Sequence, residues 1–418
     1  MNAHEISLPV KFPFVTRGVR VLMLVAGLGL LAYIYRLVIG LSATNLDNQY
    51  PWGIWIAMDV AAGVALAAAG FTVAALAHIF HRDKYRDLVR PALLTAMLGY
   101  TFVVIGLLAD LGRYYNVWHP ILPGMWQGNS VLFEVGMCVM IYLSVLYIEF
   151  VTIVTERFKG RVSLPGPMRK LNGLTDRIIR WTEKTLNRFI SLFIIAGVVL
   201  SCLHQSSLGT LMVIAPTKMH PLWYTDVLPL LFLLSAIAVG FPVVILESLL
   251  TSRSFRLRPE IDVLASMARY VPLLLGAYLG VKIIDLTIRE AWPFLLDGST
   301  ESFLFMIELA GGVILPLILL SFYNIRNSAH GLLVSAFLVI FGVILNRIDV
   351  FLVAYSPLYA GKAYFPSIIE IAVTVGLAAM LILLYRTFVM IFPVVSQPSS
   401  LERLMSTSTE PDLVAARR

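Results

Sequence analysis

The sequence predicts an all-α, polytopic membrane bundle of about ten transmembrane helices. Three observations carry that reading. Of its 418 residues 59% are hydrophobic and only 14% charged; long apolar runs recur from end to end; and basic residues crowd alternate connections between the runs. A hydrocarbon core of about 30 Å needs roughly twenty helical residues to cross it, so the length of the runs selects helices over strands.

The first run, 18–40, follows basic residues and is not followed by a small-residue cleavage site, which reads as a retained helix, not a signal peptide. The second, 52–80, opens with PWGIWIAMD and sets Trp52, Trp55, Asp59, Gly63 and Gly70 along one helical stripe, where the glycines admit another backbone or a flat ligand. Runs 91–112 and 131–155 carry Asp110 and Glu134 near the same end of the bundle. The connection 156–187 repeats Leu171, Leu174, Ile178 and Trp181 at helical spacing between basic residues, the pattern of an amphipathic helix on the cytoplasmic leaflet. It separates a first segment, 1–155, with four helices from a second, 188–393, with six: two four-helix groups plus extra helices. Run 188–214 ends in HQSSLGTLM, where lipid alone demands no histidine. Runs 226–250, 266–289, 302–323, 330–354 and 367–392 complete the set, and 394–418 reads as a polar, disordered tail.

One set of connections holds only Arg113, Lys218, Arg289 and Lys362 out of 32 Lys and Arg. The positive-inside rule turns that set outward and places both termini in the cytoplasm. Cys138 and Cys202 are too few and too scattered for an iron–sulfur or zinc site. A b-type haem needs two axial histidines at matching depth; His78, His81 and His330 fall at cytoplasmic helix ends, His119, His204 and His220 on the outer side, and His4 before the first run. The sequence therefore predicts no haem, cluster or metal in this chain.

Ionisable residues inside a bilayer are expensive and mark function by default. Asp59 has no basic residue within a helical turn. Asp285 lies between Lys282 and Arg289 on one helical face, an internal salt bridge, and Asp110 has Arg113 three residues on as a counter-ion. Arg347 and Asp349, two residues apart, do not share a face and need partners elsewhere. Glu149 and Glu247 alone lie toward the cytoplasm. The superficial placing of most charges argues against a transporter, whose binding sites gather at the midplane.

The stretches PWGIWIAMD (51–59), VRPALL (89–94), DLGRYYN (110–116), NSVLFE (129–134), HQSSLGTLM (204–212), HPLW (220–223) and AYFPS (363–367) extend over nearly the whole chain. With them the sequence resembles the NrfD/polysulfide reductase membrane-subunit family, most closely its ten-helix members from periplasmic nickel–iron hydrogenases of the hydrogenase-2 type. The resemblance implies a haem-free, quinone-reactive anchor, inactive alone. Its partners would be a periplasmic ferredoxin-like iron–sulfur subunit and the large and small hydrogenase subunits. A polysulfide, nitrite or other molybdopterin-type reductase is the alternative. No nucleic acid is expected. Hydrogenase members are often labelled b-type cytochromes, a label that the histidines here do not support. The cofactor would be menaquinone or ubiquinone. Its head is expected near the outer face among the first helices, with Asp59, His204 and Glu134 transferring protons. Trp52, Arg113, Tyr114, Gln205 and Ser206 would bind it, and Asp110, Glu149 and Glu247 would form a proton path.

Overall fold

A computed structural model describes residues 9–395 of the protein. Among them ten helices are long and apolar enough to cross a membrane. They are α1 (Arg17–Ile39), α2 (Trp55–Ile79), α3 (Val89–Asp110), α4 (Val131–Phe158), α5 (Asn172–Val213), α6 (Leu228–Phe255), α7 (Ile261–Ile288), α8 (Thr300–Ser321), α9 (Ala329–Val353) and α10 (Ile368–Ile391). Each contains or overlaps one of the runs. Most of the polar tail at 394–418 lies outside the described residues.

The grouping differs from the expectation of four helices before the long connection. Helices α2–α5 form one bundle and α6–α9 a second, while α1 pairs with α10, which packs on α2 and α3. The reason is a contact of bare backbones: a Cβ built on Gly29 would fall 2.3 Å from the Cα of Gly376, so only glycines let α1 and α10 approach this closely. Helix α2 is the hub, meeting α3, α6, α9 and α10. Its run of alanines between Ala57 and Ala69 is buried on nearly every side because each of those neighbours needs a small surface to pack against.

The connection 156–187 also differs. The predicted boundary at 187 falls inside one unbroken helix of 42 residues, Asn172–Val213, about 63 Å long at 1.5 Å per residue. Apolar and amphipathic parts join without a break because no Pro or Gly interrupts 174–196. Leu174, Ile178 and Trp181 stand exposed on its projecting part.

At the basic-poor end, connection 214–227 is tied to the end of α9: the His220 N–H donates to Ala354 O at 2.8 Å and the Ser356 N–H to Lys218 O at 2.7 Å. The ring Nδ1 of His220 accepts the Leu222 N–H at 3.3 Å. Burial pushes the imidazole below its ordinary pKa, against the pull of Glu301 and Asp297. A depressed folded-state pKa means that the unfolded chain takes up the proton first. The stabilisation is therefore present above about pH 6.5 and lost as the pH falls below it. Amide exchange of 218–224 is expected to accelerate below that pH, and His220→Asn to remove the pH dependence.

Candidate functional site

The first polar cluster lies where α1, α2, α3 and α10 meet at the basic-poor end. Arg36, in the last turn of α1, is fully buried. Its Nη2 donates to Leu111 O at 3.0 Å and its guanidinium stands 5.8 Å from the Trp55 ring, but Nε and Nη1 have no partner. Buried donors left unpaired cost about 1–3 kcal/mol each, so this arginine is poised for an acceptor. Asp110 closes α3 beside it, buried and with Oδ1 unpartnered; the charges acting on it are those of Arg36 and Glu370.

Glu370 itself is committed to the fold. One oxygen accepts from Tyr364 at 2.5 Å, the other from the N–H groups of Asn45 at 3.0 Å and Ser367 at 2.8 Å, closing a capping box at the start of α10. Burial, reinforced by the Glu370 carboxylate, holds the Tyr364 hydroxyl above its ordinary pKa, so it remains a donor. Trp55 Nε1 donates to Glu370 O at 3.2 Å. One turn along the π-wound opening of α2, Asp59 accepts from Thr374 Oγ1 at 2.6 Å. Gly106 of α3 makes room for it: a Cβ there would lie 2.6 Å from that of Asp59.

The second cluster lies inside the α2–α5 bundle. His204 is fully buried, its Nδ1 3.1 Å from the Tyr100 hydroxyl and its Nε2 unpartnered. Tyr100 meets Tyr142 edge to face at 4.6 Å between ring centroids. Gln205 Nε2 donates to Val64 O at 2.7 Å. That carbonyl is free because α2 tightens there, the Ala68 N–H turning to Ala65 O. One turn on, Ser207 donates to Glu134, an exposed residue in the first turn of α4. His204 therefore lies deeper than the rim position expected from run length, level with Tyr100, about 15 Å from the end of α3 at Asp110.

A cavity of about 180 Å³ opens in the same bundle toward the basic-rich end, lined among others by His78, Arg90, Tyr142 and Glu149. Tyr142 thus faces both the cavity and Tyr100. Glu247 belongs elsewhere: it accepts from Thr95 at 2.6 Å and Tyr385 at 2.5 Å beside a separate cavity of about 70 Å³.

The structure divides the predicted site residues. His204 and Gln205 lie on one turn of α5 with Glu134 bonded to Ser207 on the next, while Asp110 lies beside Arg36 and Asp59, bonded to Thr374, sits one turn of α2 beyond Trp55. Among the described residues no ion pair joins Asp110 to Arg113. The chain leaves α3 at Leu111 in extended conformation and carries Arg113 to the surface. Tyr114 is half-buried in the next turn, Trp52 packs its half-buried ring against Phe351 at 6.1 Å, and Ser206 is half-buried beside the Ser207 that bonds Glu134. The Lys282–Asp285–Arg289 trio also splits: Asp285 pairs with Arg289 at 2.6 Å, whereas Lys282 turns to Glu308. Sequence reasoning passed over Arg36, although it is, with Arg20, one of two charges in the first run, and Ser207, which shares the helical face of His204. Tyr100 and Tyr142 gave no signal inside apolar runs.

The chain matches the family described as "Polysulphide reductase, NrfD" over residues 42–358. It is 33% identical over 369 residues, 87% of this chain and 89% of the relative, to the "Probable Ni/Fe-hydrogenase 2 b-type cytochrome subunit" of Escherichia coli (strain K12). It is 26% identical over 405 residues, 90% and 91% of the two chains, to the "Menaquinone reductase, integral membrane subunit" of Nitratidesulfovibrio vulgaris. Likeness also extends to one of the selenate reductase subunits of Mesobacillus selenatarsenatis, at 22% identity over 410 residues, 90% of this chain and 93% of that one. The chain belongs to the NrfD family, as an integral membrane subunit of the kind found in respiratory reductase and hydrogenase complexes.

Proposed function

We propose that this chain is the quinone-reactive anchor of a hydrogen-oxidising complex. In this reading it lies in the bacterial cytoplasmic membrane with the basic-rich end and both termini inward. Electrons arrive at the basic-poor end from a ferredoxin-like iron–sulfur subunit that serves nickel–iron hydrogenase subunits. The names of the hydrogenase and menaquinone-reductase relatives support the donor and the acceptor. Haem is not part of the proposal, because a b-type haem needs two facing axial histidines and the sequence offers no second one at the depth of His204.

The observation that carries the reading is the unpaired set at the α1–α2–α3–α10 junction: two buried donor nitrogens of Arg36 and one buried acceptor oxygen of Asp110, with Asp59 on the same helices. These fit the head of a quinone, which is an acceptor when oxidised and a donor when reduced. Bound there, a quinone would supply a two-electron, two-proton acceptor. Arg36 would hold its oxygen and offset negative charge, and Asp59, fixed by Thr374, would hold the proton to be passed on. Protons from the basic-rich side would enter the Glu149 cavity and reach His204 by way of Tyr142 and Tyr100.

A photoreactive quinone analogue added to the membrane-embedded complex is expected to label peptides containing Arg36 and Asp59. Labelling confined to the Glu149 cavity would refute the placement. Glu149→Gln is expected to abolish the pH change across proteoliposomes during turnover while leaving dye reduction by the complex intact. An unaltered pH change would remove the cavity from the path.

A further inference from the structure

The second bundle holds ionisable side chains that the quinone reading does not use. Lys282 and Glu308, 5% and 1% exposed, pair at 2.6 Å. Glu308 also accepts from Asn346 Nδ2 at 3.0 Å and Trp223 Nε1 at 2.8 Å, so its carboxylate is fully occupied. Arg347 is solvated by neutral groups: Nη1 donates to Asn346 Oδ1, Nη2 to Ser235 Oγ at 2.8 Å and Phe232 O at 3.2 Å, and its guanidinium lies 3.6 Å from the Phe232 ring centroid. Asp349 differs from all of these. It is fully buried, and neither carboxyl oxygen has a partner.

A buried carboxylate with no counter-ion and no hydrogen bond is costly, whereas the same group as a neutral acid is tolerated. The surroundings of Asp349 do not supply the missing partner. The charges acting on it are Glu308, which repels its anion, and Lys282, which Glu308 already holds. Arg347, on the same helix, is bonded to other groups through Nη1 and Nη2, and its Nε, although unpartnered, makes no hydrogen bond to Asp349. Helix α2, packed on this turn, contributes Asp59, tied to Thr374, and α6 contributes the Ser235 hydroxyl, tied to Phe232 O and Arg347.

Asn346, one helical turn before Asp349, lines a small space that Asp349 itself does not reach. The space, of about 10 Å³ and close to one water, lies among Trp223, Thr225, Lys282, Asp285 and Asn346. Thr225 donates to Asp285 at 2.5 Å, and the Asp285 side chain is 10% exposed at the basic-poor end.

We propose that Asp349 is a proton-binding site, kept as a neutral acid within the second bundle and exchanging its proton with the basic-poor surface on the side of Thr225 and Asp285. The site is independent of the quinone reading. It gives the second bundle a titratable charge beside α2.

Infrared difference spectra of the full chain in its complex, in lipid at neutral pH, test this in water and deuterium oxide. Wild type minus Asp349→Asn is expected to show the carbonyl stretch of a protonated carboxyl, shifted in deuterium oxide, with assembly unchanged. Three results would overturn the proposal: no such band; a band that never shifts in deuterium oxide; or failure of Asp349→Asn to assemble where Asp349→Glu succeeds. The last identifies an ionised structural partner, because an amide replaces a neutral acid but not a carboxylate.

Discussion

Asp59→Asn is expected to lower hydrogen-dependent quinone reduction by about 10²-fold or more, the usual worth of a positioned acid–base group, in a complex that assembles normally. Asparagine keeps the size of the side chain and can still accept from Thr374, so packing against Gly106 is preserved. What it loses is the capacity to take and give a proton. Steady-state assays with a quinone analogue, beside dye reduction by the hydrogenase subunits, separate this from a defect in assembly. Turnover within a factor of two of wild type, with dye reduction unchanged, would remove Asp59 from the chemistry. The His204 cluster would then be left as the nearest group of buried titratable residues.

Gly29→Val is expected to destabilise the α1–α10 pair by about 1–3 kcal/mol or more, the cost of overpacking, and to weaken quinone binding with it. The added Cβ would stand 2.3 Å from the Cα of Gly376 and 2.9 Å from Ala372 O, backbone atoms that cannot rotate away. Separating these helices unseats Arg36, two turns along α1, from Trp55 and Leu111 O. Gly27→Val is the control, since a Cβ there meets nothing within 4 Å. Thermal denaturation in detergent together with the KM for the quinone analogue distinguishes the two variants. Equal behaviour would mean that α1 does not depend on this contact.

The membrane fold was legible because its main determinant is one-dimensional. A run long and apolar enough to cross lipid is visible without tertiary information, and all ten were placed. Bundle membership was not. It depends on where two backbones touch, and nothing in the sequence pairs Gly29 with Gly376 across more than three hundred residues. Helical spacing within 156–187 was visible in the sequence, but whether that segment lies apart or continues α5 is decided by the unbroken hydrogen bonding through Arg188.

The site divides the same way. Asp59 and His204 stood out because a polar group inside an apolar run is conspicuous, whereas the partners of both lie on other helices. Thr374 and Tyr100 are ordinary residues in ordinary runs until the bundle closes. Arg113 was credited to Asp110 by proximity along the chain, and the extended turn at Leu111 broke that logic. Arg36 took the position instead, from a helix that the sequence had grouped with the first bundle.

Hydrogen-dependent reduction of a menaquinone analogue by the purified complex in lipid tests most directly whether the chain connects a hydrogen-oxidising complex to quinone. The complete complex is expected to reduce both the quinone analogue and a soluble dye, and the complex lacking this chain to reduce the dye alone. Quinone reduction that persists without the chain would contradict that connection.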